Sequence, residues 1–250
     1  MRTTLLIPTY NNVTTVCDVI RRAAAVWPEV MVVNDGSTDD TLARLQELQH
    51  EVPFELVTYD RNRGKGGALK AGFRRAQALG FTHVLTLDAD GQHYPEDAPL
   101  LLQAGNQHPE AIIVGSRSFD DENMPGGNVF ANKFSNFWFT VQTLQHIPDT
   151  QTGFRLYPLR HLGGLRVLTS RYEAELELLV FSAWRGTKLI PVPVRVYYPS
   201  PEERVSHFRP TMDFLRITVL NTVLCLLAII YGGPRMLLHR LCRLFTKTHS

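Results

Sequence analysis

Short apolar runs alternate with helical periodicity through the first half of the chain. Thr4–Ile7 is a strand pattern closed by Pro8. Thr14–Val26 follows as a helix with Val16, Val19, Ile20 and Ala23 on one face. Val30–Val33 is a second strand, and Ser37/Thr38 are placed to cap a helix running to about Gln49, with Leu42, Leu45 and Leu48 inward. Phe54–Thr58, Val84–Leu87 and Ile112–Val114 read as three more strands, separated by helices at Lys65–Leu79 and from Pro95 onward. Such alternation predicts an α/β fold, a mainly parallel sheet covered on both faces.

Past residue 117 the alternation stops. Gly126–Gln145, rich in aromatics and amides, reads as a helix, Asp149–Arg155 as a loop, and Tyr172–Trp184 as a helix carrying Glu173, Glu175 and Glu177, of which a solvated face is the plain alternative and the preferred one for Glu177. Leu189–Tyr197 is a strand whose Pro191 and Pro193 place it at an edge. Ile217–Tyr231 is an apolar helix of 15 residues. At ~22 Å it is short of the ~30 Å core of a bilayer, and Gly232-Gly233-Pro234 break it. Leu237, Leu238, Leu241, Leu244 and Phe245 then face away from Arg240, Arg243 and Lys247, the pattern of a helix lying in a membrane interface. The division expected is a catalytic domain over residues 1–210 and membrane-associated helices over 211–250.

Composition changes this picture little. Hydrophobic residues make up 44% and charged residues 20%, which suits a folded chain, and a net charge of +2 gives no reason to expect nucleic acid. Residues 232–250 contain Arg235, Arg240, Arg243 and Lys247 without an acid, which favours an anionic surface. Cys17, Cys225 and Cys242 are scattered, so neither a disulfide framework nor a zinc site is expected. No signal-peptide pattern precedes the first strand, and the catalytic part is expected on the cytoplasmic side, peripheral or monotopic.

The chemistry gathers at strand ends, where ligands bind in sheets of this kind. After the fourth strand come Asp88-Ala-Asp90, then Gln92 and His93. Side chains two apart share a strand face, and paired carboxylates repel unless a cation or proton lies between them. Oxygen ligands suit Mg²⁺ or Mn²⁺. The plainer alternative is an Asp-rich turn into a helix that begins with Pro95. After the second strand, Asp35 is placed to accept hydrogen bonds from a ribose or a base, and Gly36 allows a tight turn; an Asp-Gly turn alone explains both as well. Arg61–Ala68 is a basic, glycine-rich loop opening a helix, where backbone N–H groups favour phosphate. It lacks the order of a Walker A loop.

IPTYNN, VVNDGSTDDT, NRGKGGAL and LDADGQHYPED occur in this order over residues 7–97. As a set they resemble glycosyltransferase family 2 and its GT-A fold. DADGQH, Gly115-Ser116-Arg117 and Gly153-Phe154-Arg155 resemble its dolichyl- and polyprenyl-phosphate hexosyltransferase branch, over about residues 3–200. The resemblance implies an inverting transfer from a UDP- or GDP-linked sugar to a lipid. It implies that the nucleotide is held by Pro8, Tyr10, Asp35, Asn62, Gly64, Lys65, Asp88 and Ala89. A divalent cation, Mg²⁺ or Mn²⁺, would sit on Asp88, Asp90 and Gln92. Gly91 replaces the branch's usual Leu, and Lys133 stands where the branch usually has Arg.

Two acceptor chemistries remain open at this point. For a phosphate acceptor, Arg117, Lys133, Arg155, Arg204 and Arg209 are the cations expected to gather, with His207 in the loop that closes over the site. For a lipid or aryl hydroxyl, a carboxylate must act as base, and Asp149 is the candidate, with Glu173 or Glu175 behind it. Phe134, Phe137, Trp138 and Phe139 are candidates to line an acceptor groove. Rival classes are a sugar nucleotidyltransferase, which needs a glycine-rich loop where PTYNN stands, and a catalytically silent membrane module, which need not keep the carboxylates.

Overall fold

The computed structural model describes residues 1–117, 126–163, 169–197 and 210–238. Arg204, His207 and Arg209 lie outside them, as does the basic stretch 239–250. Among the described residues seven strands form one sheet: β1 (Thr3–Thr9), β2 (Val30–Asp35), β3 (Glu55–Tyr59), β4 (His83–Thr86), β5 (Ile112–Arg117), β6 (Arg155–Pro158) and β7 (Leu189–Val194). Their order is β3-β2-β1-β4-β6-β5-β7. The helices are α1 (Val16–Val26), α2 (Thr41–Leu48), α3 (Lys65–Ala78), α4 (Ala98–Gln107), α5 (Gly126–Thr143), α6 (Leu159–Leu162), α7 (Glu173–Trp184) and α8 (Pro210–Leu227).

Every residue of β1, β2 and β4 is buried. These strands read as continuous apolar runs because both faces of the sheet are covered. Leu5 and Ile7 of β1 face a core with Ile20 of α1, Leu45 of α2 and Leu101 of α4. Leu6, pointing the other way, meets Phe73 of α3, Leu179 and Trp184 of α7, and Leu220 and Leu224 of α8. Chain order reverses between β1 and β4, and the crevice at their carboxyl ends is where such sheets bind ligands. All four motifs of the first half lead toward that end.

The structure departs from the sequence reading in four places. β6 was not anticipated; it runs antiparallel between β4 and β5. Ser37 and Thr38 do not cap α2, which starts at Thr41. Their hydroxyls serve Asn11 instead: Ser37 Oγ accepts from the Asn11 N–H at 3.0 Å, and Thr38 Oγ1 from Asn11 Nδ2 at 3.1 Å. Glu173, Glu175 and Glu177 are buried rather than solvated, because α7 is covered on all sides. Finally, Gly232-Gly233-Pro234 do not end the last helix. A π turn over Ala228–Gly232 carries it on through Leu238. Pro234 has no N–H to give, and the wider turn absorbs that loss. The apolar helix Arg216–Leu238 is therefore 23 residues long, ~34 Å. β7 is an edge strand as expected from its prolines.

One face of this helix is seated on the rest of the chain. Asn221 is buried and accepts from Gln142 Nε2 at 3.1 Å, while Trp184 Nε1 donates to Gln142 O at 2.7 Å. At Gly232 an added Cβ would lie 2.4 Å from the Trp184 indole. Gly232→Leu should therefore lower Tm by roughly 2–10 °C, whereas Ile230→Leu, at a position 74% exposed, should leave it unchanged. A thermal melt in which both variants match the wild type would show that the helix is not held at Trp184.

Candidate active site

The β4 end turns through Asp88, Ala89, Asp90 and Gly91, where φ is +75°. The left-handed backbone suits the glycine found here in place of the branch's leucine. Thr15 Oγ1, at the start of α1, lies 2.6 Å from Ala89 O and pins the turn. Asp90 Oδ1 accepts from the Gln92 N–H at 3.0 Å. Asp88 has a charged partner. Lys65 Nζ lies 2.8 Å from Asp88 Oδ1 and 2.7 Å from Glu175 Oε2, so one ammonium joins β4, α3 and α7. Gly153 packs so close that a Cβ there would fall 2.3 Å from Asp88 Oδ2. That contact is the physical need behind the glycine of Gly153-Phe154-Arg155.

These surroundings move the acidities. Burial works against charge on Asp88, but the Lys65 ammonium outweighs it and holds the carboxyl below its usual range. Asp90 gains no such partner. Burial and the Asp88 charge push it up to about 6. Among the described residues no three His, Cys, Asp or Glu side chains converge as a ready-made metal cage. The oxygen set of Asp90, Asp88 and Gln92 nevertheless fits a hard divalent ion, and the raised Asp90 carboxyl marks a place short of positive charge.

At the neighbouring strand ends, both carboxylate oxygens of Asp35 accept from the Arg63 N–H, at 3.0 and 3.1 Å. Burial raises its pKa, and the Arg63 and Gly64 N–H groups oppose that rise. Gly36 leaves room for the Arg61–Asn62 backbone, and Asn62 Oδ1 accepts from the Gly64 N–H at 2.8 Å. Asp35 thus ties the glycine-rich loop to β2. Pro8 and Ala89 are buried, Tyr10 half-buried and Asn62 exposed around this end.

The second cluster lies on the β5 side. Asp149 is fully buried, and Arg117 Nε and Nη2 bind its two oxygens at 2.6 and 2.9 Å. Asn132 Nδ2 adds 2.7 Å, and the Gln151 and Thr152 N–H groups 3.0 and 3.2 Å. Burial would raise the Asp149 pKa, but Arg117 reverses the effect and holds it low. A carboxylate so saturated and so acidic is unsuited to the general-base role considered for it. Arg155 is not open to a ligand either. Fully buried, it donates to Thr150 O, Glu175 O and Tyr157 Oη at 2.9, 2.9 and 3.1 Å, bracing the Asp149 loop against α7. Lys133 is exposed beside Asn132. Phe139 is core, whereas Phe137 is exposed and stacks edge-on to Trp138.

His93 joins the two clusters. Its buried ring feels the charges of Asp88, Arg117, Asp149 and Lys65. Burial lowers its pKa to about 4, so it is neutral, with Nε2 3.3 Å from Thr152 Oγ1. Glu175, a reserve base by sequence, is instead paired with Lys65; the Asn132 contact has no sequence signal, and for Gly153 the GFR triplet is the one available. A surface hollow lined by Gln77, His83 and Glu110 lies at the amino ends of the strands, away from all the motifs.

Solved structures share this fold. Glucosyl-3-phosphoglycerate synthase from Mycobacterium tuberculosis, in complex with Mn²⁺, UDP and glucosyl-3-phosphoglycerate, matches with a TM-score of 0.65 at 18% identity, over 89% of this chain and 79% of that one. The fold is therefore GT-A. The Glycosyl transferase family 2 model matches residues 4–162, and the chain belongs to that family of glycosyltransferases. Relatives include the UDP-N-acetylglucosamine–dolichyl-phosphate N-acetylglucosaminyltransferase of Methanococcus voltae, 27% identical over 78% of this chain and 85% of that protein. The undecaprenyl-phosphate mannosyltransferase of Micrococcus luteus is 28% identical over 78% and 83%. The polyprenol monophosphomannose synthase of Mycolicibacterium smegmatis is 33% identical over 62% and 61%.

Breaking the Arg117–Asp149 pair should be costly. Asp149→Asn is expected to lose roughly 3 kcal/mol at neutral pH. Because the folded pKa of Asp149 is depressed, its stabilisation is complete above the ordinary value of ~3.9 and disappears as pH falls through the folded value. Urea unfolding across pH should show the wild-type and Asn curves converging on the acid side; parallel curves would refute the assignment.

Proposed function

We propose that this glycosyltransferase moves a sugar from a UDP- or GDP-linked donor to a polyprenyl phosphate at a membrane surface. The state of Asp149 carries the reading. The side chain best placed to serve as a base among the described residues is spent on holding Arg117, so this end of the site offers a fixed cation, and Asp149 is not free to take a proton. A phosphate acceptor is already ionised at neutral pH and asks for a cation alone. Glu175 is engaged by Lys65, and His93, its pKa lowered to about 4 by burial, is too weak a base to replace Asp149. The names of the Methanococcus, Micrococcus and Mycolicibacterium relatives point to the same acceptor class.

In this mechanism the glycine-rich loop, held by Asp35, and the Asp88–Asp90 turn bind the nucleoside diphosphate. Arg117 receives the acceptor phosphate, and Asp149 with Asn132 keeps its guanidinium oriented. A phosphate oxygen attacks the anomeric carbon as the bond from that carbon to the diphosphate breaks. The electron pair leaves with the nucleoside diphosphate, and in-line displacement inverts the centre. Asp90, Gln92 and Asp88 are the residues that would hold Mg²⁺ or Mn²⁺. Such an ion, when bound, acts as a Lewis acid for the charge growing on the leaving group.

The last helix supports the membrane part of the reading. Val219, Val223, Leu226, Ile230 and Leu237 recur at helical spacing, all exposed, while Leu220, Asn221, Leu224 and Gly232 of the other face are buried. A helix seated on its own protein along this much of its length is long enough to span but not separate enough. A monotopic seating, with its outer face in the interface, fits better. The thiols of Cys17 and Cys225 are unpaired, which suits the cytoplasmic side.

Radiolabelled nucleotide sugars with undecaprenyl phosphate should yield a lipid-linked product. EDTA should abolish it, and Asp90→Ala should reduce it by ~10²-fold or more. Product formed on a lipid alcohol but not on the lipid phosphate would sink the acceptor assignment. For the membrane, Ile229→Glu with Ile230→Glu, at positions 73% and 74% exposed, should shift the protein to the soluble fraction without changing Tm. Unchanged partitioning would exclude this face as the contact.

A further inference from the structure

Lys65 breaks a local rule. It is the first residue of α3, where the helix dipole favours negative charge, and no acid stands in that first turn. A cation placed there against propensity marks a functional constraint. Its ammonium is pulled away from the helix axis, into contact with Asp88 at 2.8 Å and Glu175 at 2.7 Å. The three side chains are 17%, 23% and 8% exposed, so the contact is shielded from water but open at one side.

The charges explain the arrangement. Asp88, Asp90 and Glu175 bring three negative charges to one strand end, and Lys65 is the ion-pair partner that the described residues supply to Asp88 and Glu175. Asp88 has little room to turn away from it, because Gly153 packs against both carboxylate oxygens. A divalent ion on Asp88 and Asp90 would therefore meet an ammonium already bound to one of its ligands. Like charges that close repel strongly in a site shielded from water.

We propose that Lys65 is a built-in stand-in for the divalent cation, holding Asp88 until a metal–nucleotide complex displaces it. Released from Asp88, the ammonium lies beside the N-terminus of α3 and the Gly64–Gly67 backbone, where a diphosphate binds. The exchange then conserves charge: the ion takes over the carboxylate, and Lys65 takes over the phosphate. Bare metal gains the first contact but still faces the Lys65 ammonium, held close by Glu175 with no phosphate to draw it away, so metal and nucleotide bind together or hardly at all. This rests on the metal reading of Asp88, Asp90 and Gln92 given above.

The exchange makes two affinities move in opposite directions when Lys65 is neutralised. Mn²⁺ binding, followed by the loss of the free-ion EPR signal, is measured on the full chain with and without UDP or GDP. The wild type should bind Mn²⁺ weakly alone and at least tenfold more tightly with nucleotide. Lys65→Met should bind Mn²⁺ alone at least tenfold more tightly than the wild type and lose nucleotide affinity by a similar factor. Lys65→Gln, which keeps hydrogen-bonding capacity, serves if the Met variant is poorly folded, and Mn²⁺ alone should raise its Tm more than that of the wild type. Lys65→Arg should keep the wild-type pattern. If Mn²⁺ affinity is unchanged or lower in the Met and Gln variants, while Asp90→Ala still abolishes Mn²⁺–nucleotide binding, the stand-in role is wrong and the metal site survives. If no variant binds Mn²⁺ under either condition, the metal site falls and takes the stand-in role with it.

Discussion

Asp88 cannot be moved without moving the rest of the polar end of the sheet. Its carboxylate is fixed by the Lys65 ammonium and by the close approach of Gly153. Through Lys65 it reaches the start of α3 and Glu175 of α7. Through Gly153 it reaches the loop that presents Asp149, and Thr86 Oγ1 strengthens that link with a 2.7 Å bond to Gly153 O. A buried carboxylate is costly unless it is paired and hydrogen-bonded. The energy of satisfying this one group therefore aligns four segments that are remote in sequence, and the candidate site is the place where they meet.

Arg117 and Asp149 apply the same physics with a different result. There the cation is the more exposed member, and the carboxylate is the fully buried partner. In the first cluster the carboxylates border the site and the lysine fills the gap between them. Two ion pairs of opposite polarity thus divide the strand ends into one half suited to a cation and its nucleotide and another suited to an anion. His93, neutral and wedged against both, separates them without adding charge.

Much of this was legible in the chain because it depends on local pattern. Strands buried on both faces show as apolar runs, and the polar motifs mark their carboxyl ends, so β1 to β5 and the position of the site followed from periodicity. The pairings did not. Lys65 and Glu175 are 110 positions apart, and no local pattern joins them. β6 has four residues, and its partners β4 and β5, rather than its own composition, make it a strand. Ser37 and Thr38 carried a sound capping signal, but Asn11, with its left-handed backbone, competed for their hydroxyls and won. The last helix was cut at Gly232-Gly233-Pro234 because those residues disfavour an isolated helix. Trp184 requires a residue without Cβ at that contact, and the π turn accommodates the proline.

α5 gives the two halves of the proposed function a common frame. Asn132 of this helix binds Asp149, and Ser135 and Asn136 meet Thr150 at 2.7 and 2.8 Å. Ten residues beyond Asn132, Gln142 holds Asn221 of α8 and accepts from Trp184. Residues spaced by three and four share a helical face, so one rigid face supports both contacts across ~15 Å. The buried partner of Arg117 and the seat of the apolar helix are therefore not independent. If α8 rests in a bilayer interface, α5 sets how far above it the Arg117 guanidinium stands. A lipid phosphate is confined to that interface and cannot rise far to meet its receptor, so the height matters more than the presence of the cation. In this view the amide pair Gln142–Asn221 is a registration device: a buried polar contact within an apolar helix interface adds little stability, but it allows one sliding position and excludes its neighbours.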